Sequence, residues 1–216
     1  MSSPPRFGLL VPVKAPAVAK SRLAPLGHDA RVELARAFAL DTVSAALATP
    51  AVGCVLAVTD DHLLAAALHE AGAGVLPDGV AGDLNGTLQQ AAAELGRRFP
   101  ELRPAALCAD LPALRPEDLD AALRAVPPST SALVPDADGV GTTLLVAAAG
   151  ETLRPAFGTG SREAHRACGA VELDGALSLR RDVDTPADLD VALALGVGPC
   201  TSLAVTLLGL TGTPRL

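Results

Sequence analysis

Short, nearly continuous apolar runs alternate with longer stretches rich in Ala and Leu along the chain. Such a run is typical of a strand covered on both faces, as in a parallel sheet flanked by helices. Five strands are predicted, over Phe7–Val13, Gly53–Thr59, Ala105–Ala109, Ser131–Val134 and Thr142–Ala148. Six helices are predicted, over Ala30–Leu47, Asp61–Ala71, Asn85–Phe99, Pro116–Ala125, Ser161–Cys168 and Pro186–Leu195. The pattern therefore predicts an α/β fold, a three-layer sandwich with a mostly parallel central sheet.

The ends of the elements carry further signals. Asp29 precedes the longest helical stretch and is predicted to cap it. Thr185, Pro186 and Asp188 are spaced as in a capping box, which predicts a role for Asp188 at a helix start. No repeat or compositional break divides the chain, so residues 1–216 are predicted to form one domain. The apolar tail over 196–216 is broken by Gly and Pro, and either packing on the sheet or contact with a second copy in a homodimer would bury it.

Composition excludes several classes of partner. Aromatic residues make up 2% of the chain, with no Trp and no Tyr, so bases cannot stack on an aromatic platform. The net charge of −7 also argues against nucleic acid as a partner. No apolar run reaches the roughly 18 residues of a membrane span, and the polar start lacks the apolar core of a signal peptide. We therefore expect a cytoplasmic protein without a membrane partner.

A local group of positive charge follows the first predicted strand. Lys14, Lys20 and Arg22 lie within the segment KAPAVAKSR, whereas the chain as a whole is acidic. Ligands of open α/β sheets bind outside the carboxyl ends of the strands, so this loop is placed to hold a triphosphate. It has neither the Gly-rich Walker A pattern nor the dinucleotide-binding fingerprint. The alternative is a solvated basic loop.

Acidic residues occur at comparable positions. Asp110 follows the predicted strand Ala105–Ala109. If residues 181–184 are extended, Asp182 and Asp184 point to the same side, because strand side chains alternate. Two carboxylates facing one way favour a cation between them, and Mg²⁺ prefers such oxygen ligands. The alternative is a surface ion pair of Asp182 with a neighbouring arginine.

Two further candidate segments are rich in glycine: DADGVGTT over Asp136–Thr143 and FGTGS over Phe157–Ser161. Their glycines allow backbone amides to approach a ligand, and Ser161 is predicted to cap the next helix, so a second anion site is indicated. Two ordinary turns are the alternative. His165, in that helix, is predicted to be structural. Asn85 is either the cap of its helix or an amide that reads a base, and the cap is favoured.

Together these segments resemble a known family. VPVK…AKSRLA, LN-x-x-L, ADLPAL, DADGVGTTLL, FG-x-GS-x-x-x-H and DVDTPADL, in this order, are similar to the 2-phospho-L-lactate and phosphoenolpyruvate guanylyltransferases of deazaflavin coenzyme biosynthesis. The similarity extends from about Leu10 to Thr201. DVDTPADL alone also resembles molybdenum-cofactor nucleotidyltransferases.

The resemblance implies a nucleotidyltransferase fold like that of nucleotide-diphospho-sugar transferases, with GTP as donor and a small phosphorylated carboxylic acid as acceptor. Its implied sites fall on three sets of residues. Lys14, Lys20 and Arg22 would bind the triphosphate and act in catalysis, with Asn85 near the nucleotide. Asp110, Asp182 and Asp184 would hold Mg²⁺, with Asp110 also catalytic. Thr143, Gly158 and Ser161 would bind the acceptor. Because Thr142 is adjacent to Thr143, the match to the family motif at this position is uncertain by one residue.

Two other functions are compatible with the same segments. A molybdenum-cofactor or sugar nucleotidyltransferase would keep the fold and differ in the acceptor loops. A nucleotide-binding module without enzymatic activity would not need paired carboxylates beside a separate anion site.

Overall fold

One seven-stranded sheet runs through the molecule, which the computed structural model describes over residues 6–15, 20–79 and 82–210. Its strands, β1 to β7, span Phe7–Pro12, Val52–Val58, Gly74–Leu76, Arg103–Leu107, Ala132–Pro135, Thr142–Val146 and Val171–Glu172. The helices, α1 to α8, span His28–Leu47, His62–Glu70, Leu84–Arg98, Pro116–Ala125, Ser161–Ala167, Leu177–Arg180, Pro186–Leu195 and Pro199–Leu207. A 3₁₀ helix over Ser21–Leu26 precedes α1.

The strand order is β3-β2-β1-β4-β6-β5-β7. Only β6 runs against its neighbours, β4 and β5, whereas the other paired strands are parallel. The prediction of a mostly parallel sheet is confirmed. Because β6 is reversed, its amino end lies at the same edge as the carboxyl ends of β1, β4 and β5.

Alternating side chains of the strands feed two separate cores. In β1, Leu9 and Val11 belong to a core that includes α1, α2 and α4 residues, whereas Leu10 belongs to the core with α3. All three side chains are fully buried. The two cores on opposite faces confirm the three-layer sandwich, and they fix which residues at the strand ends point toward which helices.

Helix α1 begins at His28, two residues earlier than a cap at Asp29 would require. Its N-cap is Gly27, and Asp29 lies inside the first turn. The predicted cap was therefore wrong, since the preceding 3₁₀ helix delivers the chain directly into α1. Asp29 still lies where a negative charge is favourable against the helix dipole.

The tail contains a helix that the sequence pattern did not predict. Helix α8 packs on α1 through a third core that includes Phe38 and Val205. The buried carboxylate of Asp41 in α1 accepts hydrogen bonds from the backbone of Cys200 and Thr201 at 3.0 and 2.8 Å. The described tail thus packs on the helical layer over the sheet, and residues 211–216 lie outside the described part. No helix in the described ranges has the length and apolar character needed to cross a membrane.

Candidate active site

The edge of the sheet where β1, β4 and β5 end carries a long cleft. Its central cavity, of about 290 Å³, is lined by Lys20, Asp110 and Asp184. It shares the lining residue Lys14 with a cavity of about 310 Å³ on one side, and Phe157 with a cavity of about 500 Å³ on the other. Three adjoining spaces therefore meet at an acidic centre.

Three carboxylates converge at this centre. One oxygen from each of Asp110, Asp182 and Asp184 lies within 4.8 Å of the other two. The backbone N–H of Val183 donates to the carbonyl oxygen of Asp110 at 3.0 Å, which sets the segment beside the end of β4. Val183 is fully buried, so the alternating side chains before and after it point back to Asp110. The predicted same-side arrangement is confirmed, although the segment joins no strand of the sheet.

The convergence is electrostatically unfavourable for the protein alone. Burial, with the nearby charges of Asp110 and Asp184, raises the pKa of Asp182 to about 7. The Oδ1 atom of Asp110 is buried and has no hydrogen-bond partner among the described residues. An acceptor buried without a donor destabilises a fold, whereas a divalent cation would satisfy it. The compact set of oxygen donors therefore fits Mg²⁺.

The alternative role of Asp182, an ion pair with a neighbouring arginine, is wrong. Arg180 donates to the backbone oxygens of Pro135 and Asp136 at 3.2 and 2.9 Å. Arg181 pairs with Asp188 at 2.7 Å and with Asp138 at 3.4 Å. Both guanidinium groups are directed to other partners, which leaves Asp182 facing the other two carboxylates.

Lys20 is the cation at the centre. Its ammonium lies 2.6 Å from Asp184 Oδ1 and also contacts Asp110 Oδ2. Burial alone would lower the pKa of Lys20, but the two carboxylates reverse that effect and raise it, so the side chain stays charged. Its backbone adopts a left-handed conformation with φ of 55°.

The other two predicted basic residues lie farther out. Arg22 is 3.6 Å from Asp184 Oδ2, with 74% of its side chain exposed. Lys14 is exposed and lines the two cavities on the β1 side. Residues 16–19 of the predicted basic loop lie outside the described ranges. The structure thus brings Lys20 to the carboxylates and leaves Arg22 and Lys14 accessible to a ligand.

Both Gly-rich segments line the cavity of about 500 Å³. Gly158 and Gly160 have φ of 143° and 72°, backbone conformations that residues other than glycine rarely adopt. Gly160 is the N-cap of α5 and Ser161 is its first residue, without a side-chain cap bond, so the predicted Ser161 cap was wrong. In the other segment, the Asp136 carboxylate accepts from the backbone of Val140 and Gly141 at 2.8 and 2.7 Å, which folds the loop on itself.

The two adjacent threonines differ in their surroundings. Thr143 is fully buried, and its hydroxyl lies 3.4 Å from the carbonyl oxygen of Val134. Thr142 lines the cavity beside Ser161, with Thr143 absent from that lining. The pairing of β5 with β6 is irregular at this point, and the Thr142 hydroxyl lies 3.0 Å from Nδ1 of His165 in α5. Of the two threonines, Thr142 is the one that lines this cavity, and which of them binds the acceptor stays a prediction.

His165 supports this loop from behind. The backbone N–H of Ala156 donates to Nε2 at 2.8 Å, so Nδ1 carries the hydrogen and donates to the Thr142 hydroxyl at 3.0 Å. The ring of Phe157 packs edge-on against the imidazole, with centroids 4.9 Å apart. Burial lowers the pKa of His165 to about 4, so it is neutral at neutral pH. The predicted structural role of His165 is confirmed.

Asn85 does not cap its helix. The N-cap of α3 is Asp83, whose carboxylate accepts from the backbone of Asn85 and Gly86. The Asn85 amide instead accepts from the N–H of Phe157 at 2.8 Å and donates to its carbonyl oxygen at 3.0 Å. This pair of bonds ties α3 to the Gly-rich loop. Sequence spacing could not reveal it, because the partners are 72 residues apart.

Comparisons with known proteins identify the family of the chain. A family model described as guanylyl transferase CofC like matches residues 7–202. The phosphoenolpyruvate guanylyltransferase of Streptomyces coelicolor is 53% identical over 96% of this chain and 99% of its own length. That of Geodermatophilus obscurus is 50% identical over 91% of this chain and 92% of its own.

Solved structures agree in fold. A candidate nucleotide-diphospho-sugar transferase from Desulfovibrio desulfuricans superposes with a TM-score of 0.67 at 18% identity, covering 94% of this chain and 96% of that chain. A nucleotidyl transferase from Methanothermobacter superposes with a TM-score of 0.56 at 16% identity, covering 88% and 97%. The predicted nucleotidyltransferase fold is confirmed, and a module without enzymatic activity is no longer a viable alternative. The chain is a nucleotidyltransferase that belongs to the CofC-like guanylyl transferase family.

Proposed function

We propose that the protein transfers GMP from GTP to phosphoenolpyruvate, or to the related 2-phospho-L-lactate, in the biosynthesis of the deazaflavin coenzyme. The relatives named phosphoenolpyruvate guanylyltransferase support the donor and the acceptor. One observation carries the proposal: the three carboxylates with Lys20 lie where the cavities of the cleft meet. A reaction between two anions needs positive charge at that junction.

Mg²⁺ is proposed to be held by Asp110, Asp182 and Asp184. The unpartnered oxygen of Asp110 and the mutual distances within 4.8 Å support a cation there. When bound, the ion would polarise phosphate oxygens and offset their charge. Lys20, Arg22 and Lys14 would add positive charge along the triphosphate.

The proposed reaction is a substitution at the α-phosphorus of GTP. A phosphate oxygen of the acceptor forms the new bond to that phosphorus, and the bond from the α-phosphorus to the oxygen shared with the β-phosphate breaks. Pyrophosphate leaves with the electron pair of that bond. A phosphate monoester has a second pKa of about 6, so its attacking oxygen is already ionised at neutral pH and needs no general base. The buried, neutral His165 agrees with this, because its two nitrogens are occupied by Ala156 and Thr142.

The acceptor is proposed to bind in the cavity of about 500 Å³. The backbone of Gly158 and the start of α5 at Ser161 would receive its anionic groups, and Thr142, rather than Thr143, lines the same space. This cavity also includes Asp182 and Asp184, so an acceptor there would lie beside the proposed metal. Two reactants held on either side of one cation would be aligned for transfer.

The test is a matrix of donors and acceptors. Purified protein is incubated with Mg²⁺, one of the four nucleoside triphosphates, and either phosphoenolpyruvate, 2-phospholactate, a sugar phosphate or no acceptor. We expect pyrophosphate release with GTP and a phospho-carboxylic acid, and the loss of that release in Asp184→Asn. Gln89→Ala, an exposed change on α3, is the matched control and should retain activity.

Two outcomes would contradict the proposal. Preference for CTP, or for a sugar phosphate, would favour the molybdenum-cofactor or sugar nucleotidyltransferases that share the fold. A folded protein that releases no pyrophosphate with GTP and either phospho-acid would exclude the proposed reaction itself.

A further inference from the structure

The carboxylate of Asp188 holds more of the chain than a helix cap requires. Its Oδ2 accepts from the N–H of Thr185 at 2.9 Å and from the Thr185 hydroxyl at 2.8 Å. The same oxygen lies 3.3 Å from the N–H of Asp184. Its Oδ1 accepts from the guanidinium of Arg181 at 2.7 Å. The capping box predicted from the sequence is present, but it accounts only for the Thr185 contacts.

The additional contacts bracket two of the proposed metal ligands. Arg181 precedes Asp182, and the N–H of Asp184 is the second point that Asp188 holds. Between them, Val183 is buried and bonded to Asp110. The segment that presents the two carboxylates is therefore anchored at both ends by one side chain and at its middle by the core.

This anchoring counteracts the repulsion among the three carboxylates. Asp182 and Asp184 repel each other and Asp110, and a free segment would relieve the repulsion by moving them apart. The Asp188 carboxylate pairs with the guanidinium of Arg181 at 2.7 Å, so it acts as a charged acceptor. An ionised acceptor forms the stronger hydrogen bonds that resist this movement.

We propose that Asp188 is a positioning residue that holds Asp182 and Asp184 in their metal-binding arrangement and, through Arg181, links them to Asp138 in the Gly-rich segment Asp136–Thr143. The proposal rests on the proposed function, since it assumes that the carboxylates bind a divalent cation. Groups that orient metal ligands through hydrogen bonds commonly change metal affinity about 10- to 100-fold when removed.

The experiment measures Mn²⁺ binding to the whole protein without nucleotide or acceptor, by the loss of the free-ion EPR signal. Asp188→Ala removes the anchor, and Asp188→Asn retains an acceptor for Thr185 but loses the charged bond to Arg181. Asp61→Ala is the matched control, because Asp61 caps α2 through one bond to Leu64 and is not among the carboxylates. Circular dichroism establishes that each variant is folded.

We expect Asp188→Ala to weaken Mn²⁺ binding about tenfold or more, Asp188→Asn to weaken it less, and Asp61→Ala to change it by no more than about twofold. Where transfer activity is present, both Asp188 variants should also raise the KM for the phospho-acid. If Asp188→Ala does not fold, the Mn²⁺ affinity of Asp188→Asn alone tests the proposal. Equal Mn²⁺ affinity in folded Asp188 variants and the wild type would overturn the proposal.

The failure of the proposed function has a different signature. If the wild type binds Mn²⁺ in an Asp188-dependent manner but transfers no GMP, the positioning role stands and the reaction is wrong. If the wild type transfers GMP but its Mn²⁺ affinity does not depend on Asp188, the reaction stands and the positioning role is wrong. A wild type that binds no divalent cation would overturn both.

Discussion

At the scale of single residues, Lys20 lies between the carboxylates that the proposed Mg²⁺ would need. Its ammonium is 2.6 Å from Asp184 and contacts Asp110, so the ammonium and a divalent cation compete for the same oxygens. Lys20→Met removes the competitor and keeps much of the side-chain volume. We expect Mn²⁺ to bind this variant, without nucleotide, about tenfold more tightly than the wild type, which corresponds to about 1.4 kcal/mol. Guanylyl transfer should fall about 100-fold or more, because the triphosphate loses a positive group.

Arg22→Met is the control for Lys20→Met, since Arg22 is 3.6 Å from Asp184 and 74% exposed. We expect a smaller change of Mn²⁺ affinity, because solvent screens an exposed charge. Calorimetric titration without nucleotide measures both variants. Weaker Mn²⁺ binding in Lys20→Met than in the wild type would show that Lys20 supports the metal site and does not compete with the ion.

Single residues also show how far the sequence could predict the site. The same-side arrangement of Asp182 and Asp184 was predictable because extended side chains alternate, and Asp110 was predictable as a residue that follows a strand, whereas their meeting was implied only by the family resemblance. The double bond between Asn85 and Phe157 was not, since it depends on how α3 packs beside a distant loop. Which of the two adjacent threonines lines the cavity likewise depends on the packing of β6 against α5, and the sequence pattern did not decide it.

At the scale of elements, α3 and the Gly-rich loop behave as one unit through the Asn85 amide. Asn85→Ala removes both bonds to Phe157, which should cost about 1–2 kcal/mol of loop stability. We expect the KM for the phospho-acid to rise about tenfold and the KM for GTP to change less. Steady-state kinetics with each substrate varied in turn measures the two effects.

Gln89→Ala, one turn farther along α3 and exposed, is the matched control for Asn85→Ala and should leave both KM values unchanged. The opposite result, a raised KM for GTP with relaxed choice of nucleotide, would mean that Asn85 reads the base, the alternative to a cap, and lies near the nucleotide as the family resemblance implies. The two hydrogen bonds between Asn85 and Phe157 favour the role of Asn85 in holding the Gly-rich loop.

Elements of few residues mark the limit of pattern-based prediction. Strands β3 and β7 have three and two residues, and helix α6 has four, which is too short for either period to be recognised. The longer strands were predicted from nearly continuous apolar runs, and the longer helices from stretches rich in Ala and Leu. Helix α8 was missed for another reason: Gly and Pro around it resemble a broken coil, whereas Asp41 supplies the cap from α1.

At the scale of the whole molecule, His165 couples global stability to pH. It is fully buried, its Nε2 accepts from Ala156, and burial lowers its pKa from 6.5 to about 4. Between these values the unfolded chain binds a proton that the folded protein excludes, so the contribution of His165 to stability is complete above about pH 6.5 and is lost as pH falls toward 4. The loss over this range should be on the order of 3 kcal/mol.

Other groups titrate in the same range, so the measurement compares the wild type with His165→Asn by urea unfolding at several pH values. Every other ionisable group is common to both proteins, and the difference in unfolding free energy isolates the imidazole. We expect the advantage of the wild type to be greatest near pH 7 and to shrink steadily to about pH 4. A difference that does not vary with pH would mean that the folded protein accepts the proton, and the imidazole would then be free to rearrange against Thr142 and the loop. The same constancy would remove the reason for excluding His165 from proton transfer, so the stability curve also tests a reaction without a general base.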